Sequence, residues 1–435
     1  MRSRGPGTRS RRGPSGLLVA GVCGALLTLV SAAGCGAGAD GDASALSFTS
    51  IEVTSPAPAG AGELNLFAAP DGRVVLNWFE REGGRMHALR MSSMVPSQVD
   101  DRGRGIAWDP GRTIVRGDRF FVNWADFPSI HVLPDGTMWA HWLVRSGADL
   151  YDYDVHLSSS RDGGESWSDP VIPHRDGTRS EHGFVSIFPS DEGEIGLVWL
   201  DGRDFAAGHR HPEMSLRYTT ASGESLGPEV LLDDRVCDCC QTSAALTNRG
   251  PVVVYRDRSA EEIRDISAVR LGPEGWSEPR AVHNDGWEIA ACPVNGPMIA
   301  AEGDRAATAW FTAAQDDPRV LLAFSDDAGE SWSEPVRIDD DGEAIGRVAV
   351  VIPTEGGAVV SWLARTDDGA AVRLRHVTRL GERGEVLTVA SASAARAGGF
   401  PRMVRAGDDL VLAWRDMEGD QGVRVAIVRP DRGGA

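Results

Sequence analysis

Lysine is missing from this chain of 435 residues; arginine supplies the whole of its Lys-plus-Arg total of 44. That absence rules out a lysine nucleophile or a Schiff base. Phenols are scarce as well: Tyr151, Tyr153, Tyr218 and Tyr255 are the four tyrosines, and none stands at a position that marks it as catalytic. Positive charge is in deficit. The formal net charge of −19 becomes −24 once the five arginines Arg2, Arg4, Arg9, Arg11 and Arg12 are set aside as part of a removable leader. Such acidity argues against nucleic acid as a partner and favours solubility. No long stretch carries a helical period, and the apolar run Leu17–Val30 is too short for a comfortable transmembrane helix.

What the N-terminus does contain is an export signal: an Arg-rich start, that apolar run, then small residues. Ser31-Ala32-Ala33-Gly34-Cys35 resembles a bacterial lipobox with Cys35 as the lipidated residue, although Ala32 stands where leucine is preferred. Residues 36–44 are rich in Gly, Ala and Asp and read as a flexible tether. The expected plan is a leader and lipobox over 1–35, the tether, and a single folded domain over 45–430. The protein is expected outside the cytoplasmic membrane, in a bacterial cell envelope. It would be monomeric and would touch the membrane through its lipid anchor only.

Two octets organise the folded part. Ser160-Arg161-Asp162-Gly163-Gly164-Glu165-Ser166-Trp167 and Ser325-Asp326-Asp327-Ala328-Gly329-Glu330-Ser331-Trp332 share the pattern S-x-D-x-G-x-x-W and both run on into Ser-(Asp/Glu)-Pro. The Asp carboxylate and Ser hydroxyl suit a tight hairpin, Gly164 and Gly329 supply positive φ, and Trp167 and Trp332 cover the hairpin base. These residues resemble the Asp-box, or bacterial-neuraminidase repeat, of the sialidase superfamily, which implies an all-β propeller. In that superfamily the octet is a structural hairpin, so it speaks to fold more than to function.

The spacing of aromatics supports the same architecture. Trp78, Trp142, Trp199, Tyr255, Trp310, Trp362 and Trp414 each end an apolar strand, at intervals of 64, 57, 56, 55, 52 and 52 residues, and the octets lie 165 residues apart. Seven repeats of this size with short strands predict a seven-bladed propeller; six blades, usual in the sialidases it resembles, is the alternative. The seventh unit, Phe400–Val428, has room for three strands, so the alternating segment Leu46–Thr54 is expected to complete it and close the ring.

Propeller geometry puts the starts of first strands and the ends of second strands on one face. That face collects Asp126, Glu181-His182, Cys240-Gln241, Cys292–Asn295, Arg347 and Arg402 from first strands, and Asp201, Arg203, Arg256, Asp257 and Arg258 from second strands, with Glu262, Arg264 and Asp265 in a following loop. Arg presents a bidentate fork to carboxylate or sulfate. Arg256, Arg258, Arg203, Arg347, Arg402, His182, Gln241 and Asn295 are therefore the candidate ligand-binding set. The sialidase resemblance implies an Arg cluster for a sugar carboxylate, a Tyr–Glu nucleophile pair and an Asp acid/base; Asp257, Asp201 and Asp265 are the candidates for acid or base. No Phe/Tyr-Arg-Ile-Pro motif opens the first unit, which leaves catalysis undecided.

The cysteines allow two readings. Cys240 and Cys292 fall at matching positions of neighbouring units and suit a disulfide, with Cys237 and Cys239 able to close a small strained ring. The rival is a copper or zinc site built from these thiolates with His182, His209 or His211. Three functions compete: a sialidase-like glycosidase, a non-catalytic envelope propeller that binds an anionic glycan or a partner protein, and a metal-handling lipoprotein. Neither of the first two requires a cofactor.

Overall fold

The computed structural model describes residues 44–431 apart from 101, 106–107, 209–213 and 418–421. The leader, Cys35, most of the tether, and His209 and His211 lie outside the described residues. Second strands such as Ile195–Asp201 and Ala358–Thr366 are nearly continuous apolar runs because a neighbouring blade covers each of their faces. Pro-Asp-Gly and Glu-Gly-Gly turns end these hairpins and reverse the chain, so each run of three to five antiparallel strands forms a separate small sheet.

The result is a seven-bladed β-propeller. Blade 1 opens at Gly62–Ala68, blade 2 at Ser129–Val132, blade 3 at His182–Pro189, blade 4 at Ser243–Thr247, blade 5 at Met298–Glu302, blade 6 at Ala344–Val351 and blade 7 at Arg402–Ala406. The seven aromatics predicted to end the second strands are all buried, Tyr255 among them. Blade 7 takes its outer strand from the N-terminus: Phe48–Val53 pairs antiparallel with Val423–Pro430, from Phe48 opposite Pro430 to Val53 opposite Val425. Blade 2 has three strands, with the bridge between Leu157 and Val171 in place of a fourth.

Both octets fold into the same hydrogen-bonded turn. Ser160 Oγ donates to Asp162 Oδ1 at 2.8 Å and accepts from Gly164 N at 2.9 Å, and Ser166 N donates to Asp162 Oδ1 at 3.0 Å. Ser325, Asp327, Gly329 and Ser331 repeat the pattern at 2.8, 2.8 and 2.9 Å.

A belt of hydrogen bonds joins consecutive blades around the face where first strands begin. Asn77 Nδ2 donates to Pro128 O (3.1 Å), Phe184 N to Asp126 Oδ1 (2.9 Å), Thr242 Oγ1 to Phe184 O (2.8 Å) and Gly296 N to Gln241 Oε1 (3.2 Å). The circuit finishes with Arg347 N to Asn295 Oδ1 (2.7 Å), Arg347 Nη1 to Gly399 O (2.7 Å) and Arg402 Nε to Asn65 Oδ1 (2.8 Å). Glu63, Phe184, Val294 and Arg347, at corresponding places in blades 1, 3, 5 and 6, hold φ between 48° and 54°. Such backbone is costly for residues with a side chain and persists where surrounding contacts over-determine it.

Candidate functional site

The belt sorts the predicted ligand residues. Gln241 and Asn295 are spent on it: Gln241 Nε2 donates to Ala125 O at 2.6 Å, and Asn295 Nδ2 to Ile345 O at 3.1 Å. Arg256 is spent as well. Its guanidinium donates to Asn295 O, Arg264 O and Phe311 O at 3.0, 2.5 and 2.7 Å and lies 4.9 Å from the ring centre of Trp287. Arg258 pairs with Glu262 at 2.8 Å, and Arg203 with Asp201 and Glu229 at 2.7 and 2.8 Å.

Arg347 and Arg402 differ from Arg258 and Arg203. Among the described residues neither forms an ion pair with a carboxylate. Arg402 lies over the Phe127 ring at 5.0 Å and lines a cavity of about 430 Å³ down the propeller axis, with Asn65, Asp126, His131 and Gln241 also in its wall. Arg347 sits over Trp124 and Phe400 at 5.2 and 5.7 Å. Burial brings both guanidinium groups down to about 10, still charged at neutral pH. A buried cation without a counter-charge is costly, and an anion arriving at this end of the axis would relieve that cost.

The three predicted acid/base residues lie in two settings. Asp201 is fully buried and held by Arg203 and by Trp199 Nε1 at 2.7 Å. Asp265 accepts the backbone N–H groups of Gly286 and Trp287 at 2.8 and 3.0 Å. Asp257 accepts from Arg258 N at 2.7 Å and Ser267 Oγ at 3.2 Å, and burial together with Asp265 and Asp234 raises its pKa despite those bonds.

A carboxylate pair that the sequence reading did not single out lies at the junction of blades 2 and 3. Tyr153 Oη stands 2.7 Å from Glu181 Oε1 and 3.1 Å from Asp126 Oδ2, beneath the Phe121 ring stacked at 4.0 Å. Gly183 makes room for it, since a Cβ there would fall 2.0 Å from Asp126 Oδ2. Burial pushes Asp126 up to about 7 and Glu181 up to about 8. One phenol proton cannot serve two carboxylates, so the trio is best satisfied with one carboxyl protonated. Tyr153 and Glu181 are 28 residues apart and come together through a parallel bridge between the end of one blade and the start of the next; no local motif signals this.

These shifts carry a pH dependence. An acid whose folded pKa is raised holds more protons folded than unfolded between the two values. Its contribution is therefore full below about pH 4 and lost as pH rises through 7 and 8. The unfolding free energy is expected to fall between about pH 5 and pH 9, by an amount on the order of a few kcal/mol, and the double variant Asp126→Asn, Glu181→Gln should flatten that slope. Equal slopes for variant and parent would show that the pair titrates normally.

His182 is not beside the cysteines' thiols. Its ring stacks on His174 at 3.7 Å between Asp154 and Asp176, with Asp176 Oδ1 3.4 Å from His182 Nε2. The expected disulfides are not found: Cys237, Cys239, Cys240 and Cys292 are free thiols. Cys240 approaches Cys237 at 3.0 Å, and it is Cys239 that meets Cys292. Cys240 is buried against Cys237, whereas Cys292 is exposed.

No family model and no curated protein matches the chain. Among solved structures it is similar to a protein of unknown function from Dyadobacter fermentans (12% identity, 88% of this chain and 98% of that one, TM-score 0.49). A polysaccharide lyase aligns at 10% identity over 89% and 99% of the two chains with TM-score 0.49. A mutant sialidase from Streptococcus pneumoniae aligns at 10% over 88% and 94% with TM-score 0.45.

Proposed function

We propose that this chain is an exported, lipid-anchored propeller that binds an anionic sugar at the axial mouth where first strands begin. The observation that carries this reading is Arg402: a half-buried guanidinium lining the axial cavity with Asn65, a ring and a thioether as neighbours and, among the described residues, no carboxylate paired to it. Arg347, one blade away, also has no carboxylate partner among the described residues, but its guanidinium donates to the carbonyls of Gly399 and Ala395. A carboxylate or sulfate on a sugar supplies the missing charge in the fork geometry that arginine favours, while the neighbouring Phe127 and Trp124 rings offer apolar surface to a sugar face.

Hydrolysis is a second reading, favoured by the Tyr153–Glu181 contact. Binding alone is preferred because the Tyr153 side chain is 0% exposed and lies under Phe121, which keeps it from an anomeric carbon. Calorimetric titration with sialic acid, uronic acids and sulfated sugars tests both readings. Saturable binding is expected, weakened at least tenfold by Arg402→Met, a change that keeps the volume and removes the charge. Absence of saturable binding by any anionic sugar would overturn the proposal. Trimmed glycan in the mass spectrum, abolished by Tyr153→Phe, would assign hydrolysis instead. The anchor at Cys35 is tested separately by the mass of the protein extracted from its membrane.

A further inference from the structure

The four free thiols gather where the loop before blade 4 meets the loop before blade 5. Cys237 Sγ lies 3.0 Å from Cys240 Sγ and 3.7 Å from Cys239 Sγ, and all three sulfurs fall within 4.8 Å of one another. Cys237 and Cys240 are buried and Cys239 is half-buried. Cys292 flanks the group on its solvent side, where its Sγ joins Cys239 Sγ and an Asp238 oxygen in a second set within 4.8 Å. The cluster therefore has a closed inner end and an open outer one.

Two arginines flank the cluster. Arg264 Nη1 points at Cys237 Sγ at 3.4 Å. Arg256, whose three N–H contacts all go to neutral carbonyls, adds positive charge that no carboxylate cancels.

We propose that Cys237, Cys239 and Cys240 hold a single monovalent copper ion in an all-sulfur, three-coordinate site, with Cys292 and Asp238 at its open side. Soft thiolate ligands select Cu(I), zinc or iron–sulfur clusters. Zinc in a closed site takes four ligands in a tetrahedron, whereas the inner set here has three sulfurs and two of them come from adjacent residues, Cys239 and Cys240. On loading, three S–H bonds give way to three Cu–S bonds and three protons leave. Copper keeps its oxidation state, so no oxidant or reductant is consumed. The product has net charge −2 beside Arg256 and Arg264. This site is independent of the anionic-sugar reading, since Arg347 and Arg402 take no part in it.

The test uses the full chain purified anaerobically in reductant and titrated with Cu(I) held by a chromogenic bidentate chelator. One copper per chain is expected to be withdrawn from the chelator, with an absorption-edge spectrum showing sulfur neighbours only. Cys240→Ser and Cys237→Ser should each lower the affinity at least 100-fold, and Cys292→Ser should leave the stoichiometry at one. Cys239→Ser, at a half-buried position, gives the same answer should the buried variants fail to fold. The proposal is overturned if the reduced, folded chain leaves all copper with the chelator, if zinc alone binds in stoichiometric amount, or if peptide mapping of protein taken directly from its envelope finds the four cysteines joined in disulfides and no metal.

Discussion

A chain that begins after Thr54 is expected to melt far below one that begins at Ser44 and to self-associate. The missing segment, Phe48–Val53, is the outer strand of blade 7 and closes the ring by pairing the start of the folded chain with its last strand. It buries Phe48 against blade 6 and blade 7 side chains and Val53 against those of blades 1 and 7. Burying side chains of this size stabilises by roughly 1.5–3 kcal/mol each, and the backbone ladder adds about 1 kcal/mol for each hydrogen bond. The expected loss is therefore roughly 5 kcal/mol or more. Removing the strand also exposes the edge formed by Val423–Pro430, an invitation to pair with another chain. Calorimetric melting and light scattering of the two chains provide the check, with a synthetic peptide of residues 44–55 expected to restore part of the lost stability. Identical melting curves would mean that the ring closes without this strand.

Arg256→Leu should produce the second large effect, a loss of about 3–5 kcal/mol in stability. The guanidinium ties together three backbone segments through the carbonyls of Arg264, Asn295 and Phe311, and the arginine is 1% exposed. Leucine keeps apolar contact with Trp287 but strands three buried acceptors, each costing roughly 1–3 kcal/mol to leave unmade. The denaturant midpoint should fall with the slope unchanged, which separates lost stability from a changed unfolded state. Under conditions where the variant remains folded, its affinity for an anionic sugar should match the parent's, whereas Arg402→Met should bind weakly and melt nearer the parent. A variant at Arg256 that melts normally and binds no sugar would reverse these two roles.

Several elements were legible before any coordinate. The aromatic spacing counted the blades, because each second strand is covered on both faces and carries a large aromatic that fills the space between sheets. The segment Leu46–Thr54 announced itself by its alternation together with a last unit one strand short. The two octets carried their own hydrogen bonds within a few residues, so their turn was readable locally. Residues near the axis were less transparent. Arg256, Arg347 and Arg402 look alike in sequence, each just at the edge of a strand. Which one is spent on carbonyls and which faces the cavity depends on neighbouring blades.

The sequence by itself determined the all-β propeller, its seven units and the face on which arginines, acids and cysteines collect, because these follow from periodicity and from strand polarity. Only the tertiary structure decided partnership. It joined Tyr153 to Glu181 and Asp126 across a blade boundary, drew Cys237 to Cys240 while leaving Cys292 beside Cys239, and stacked His182 on His174. Hydrogen bonds, ion pairs and thiol contacts act over about 3–4 Å, and separations of that size, between residues tens of positions apart or a few apart in one loop, are set by how blades and loops pack. No repeat period encodes them.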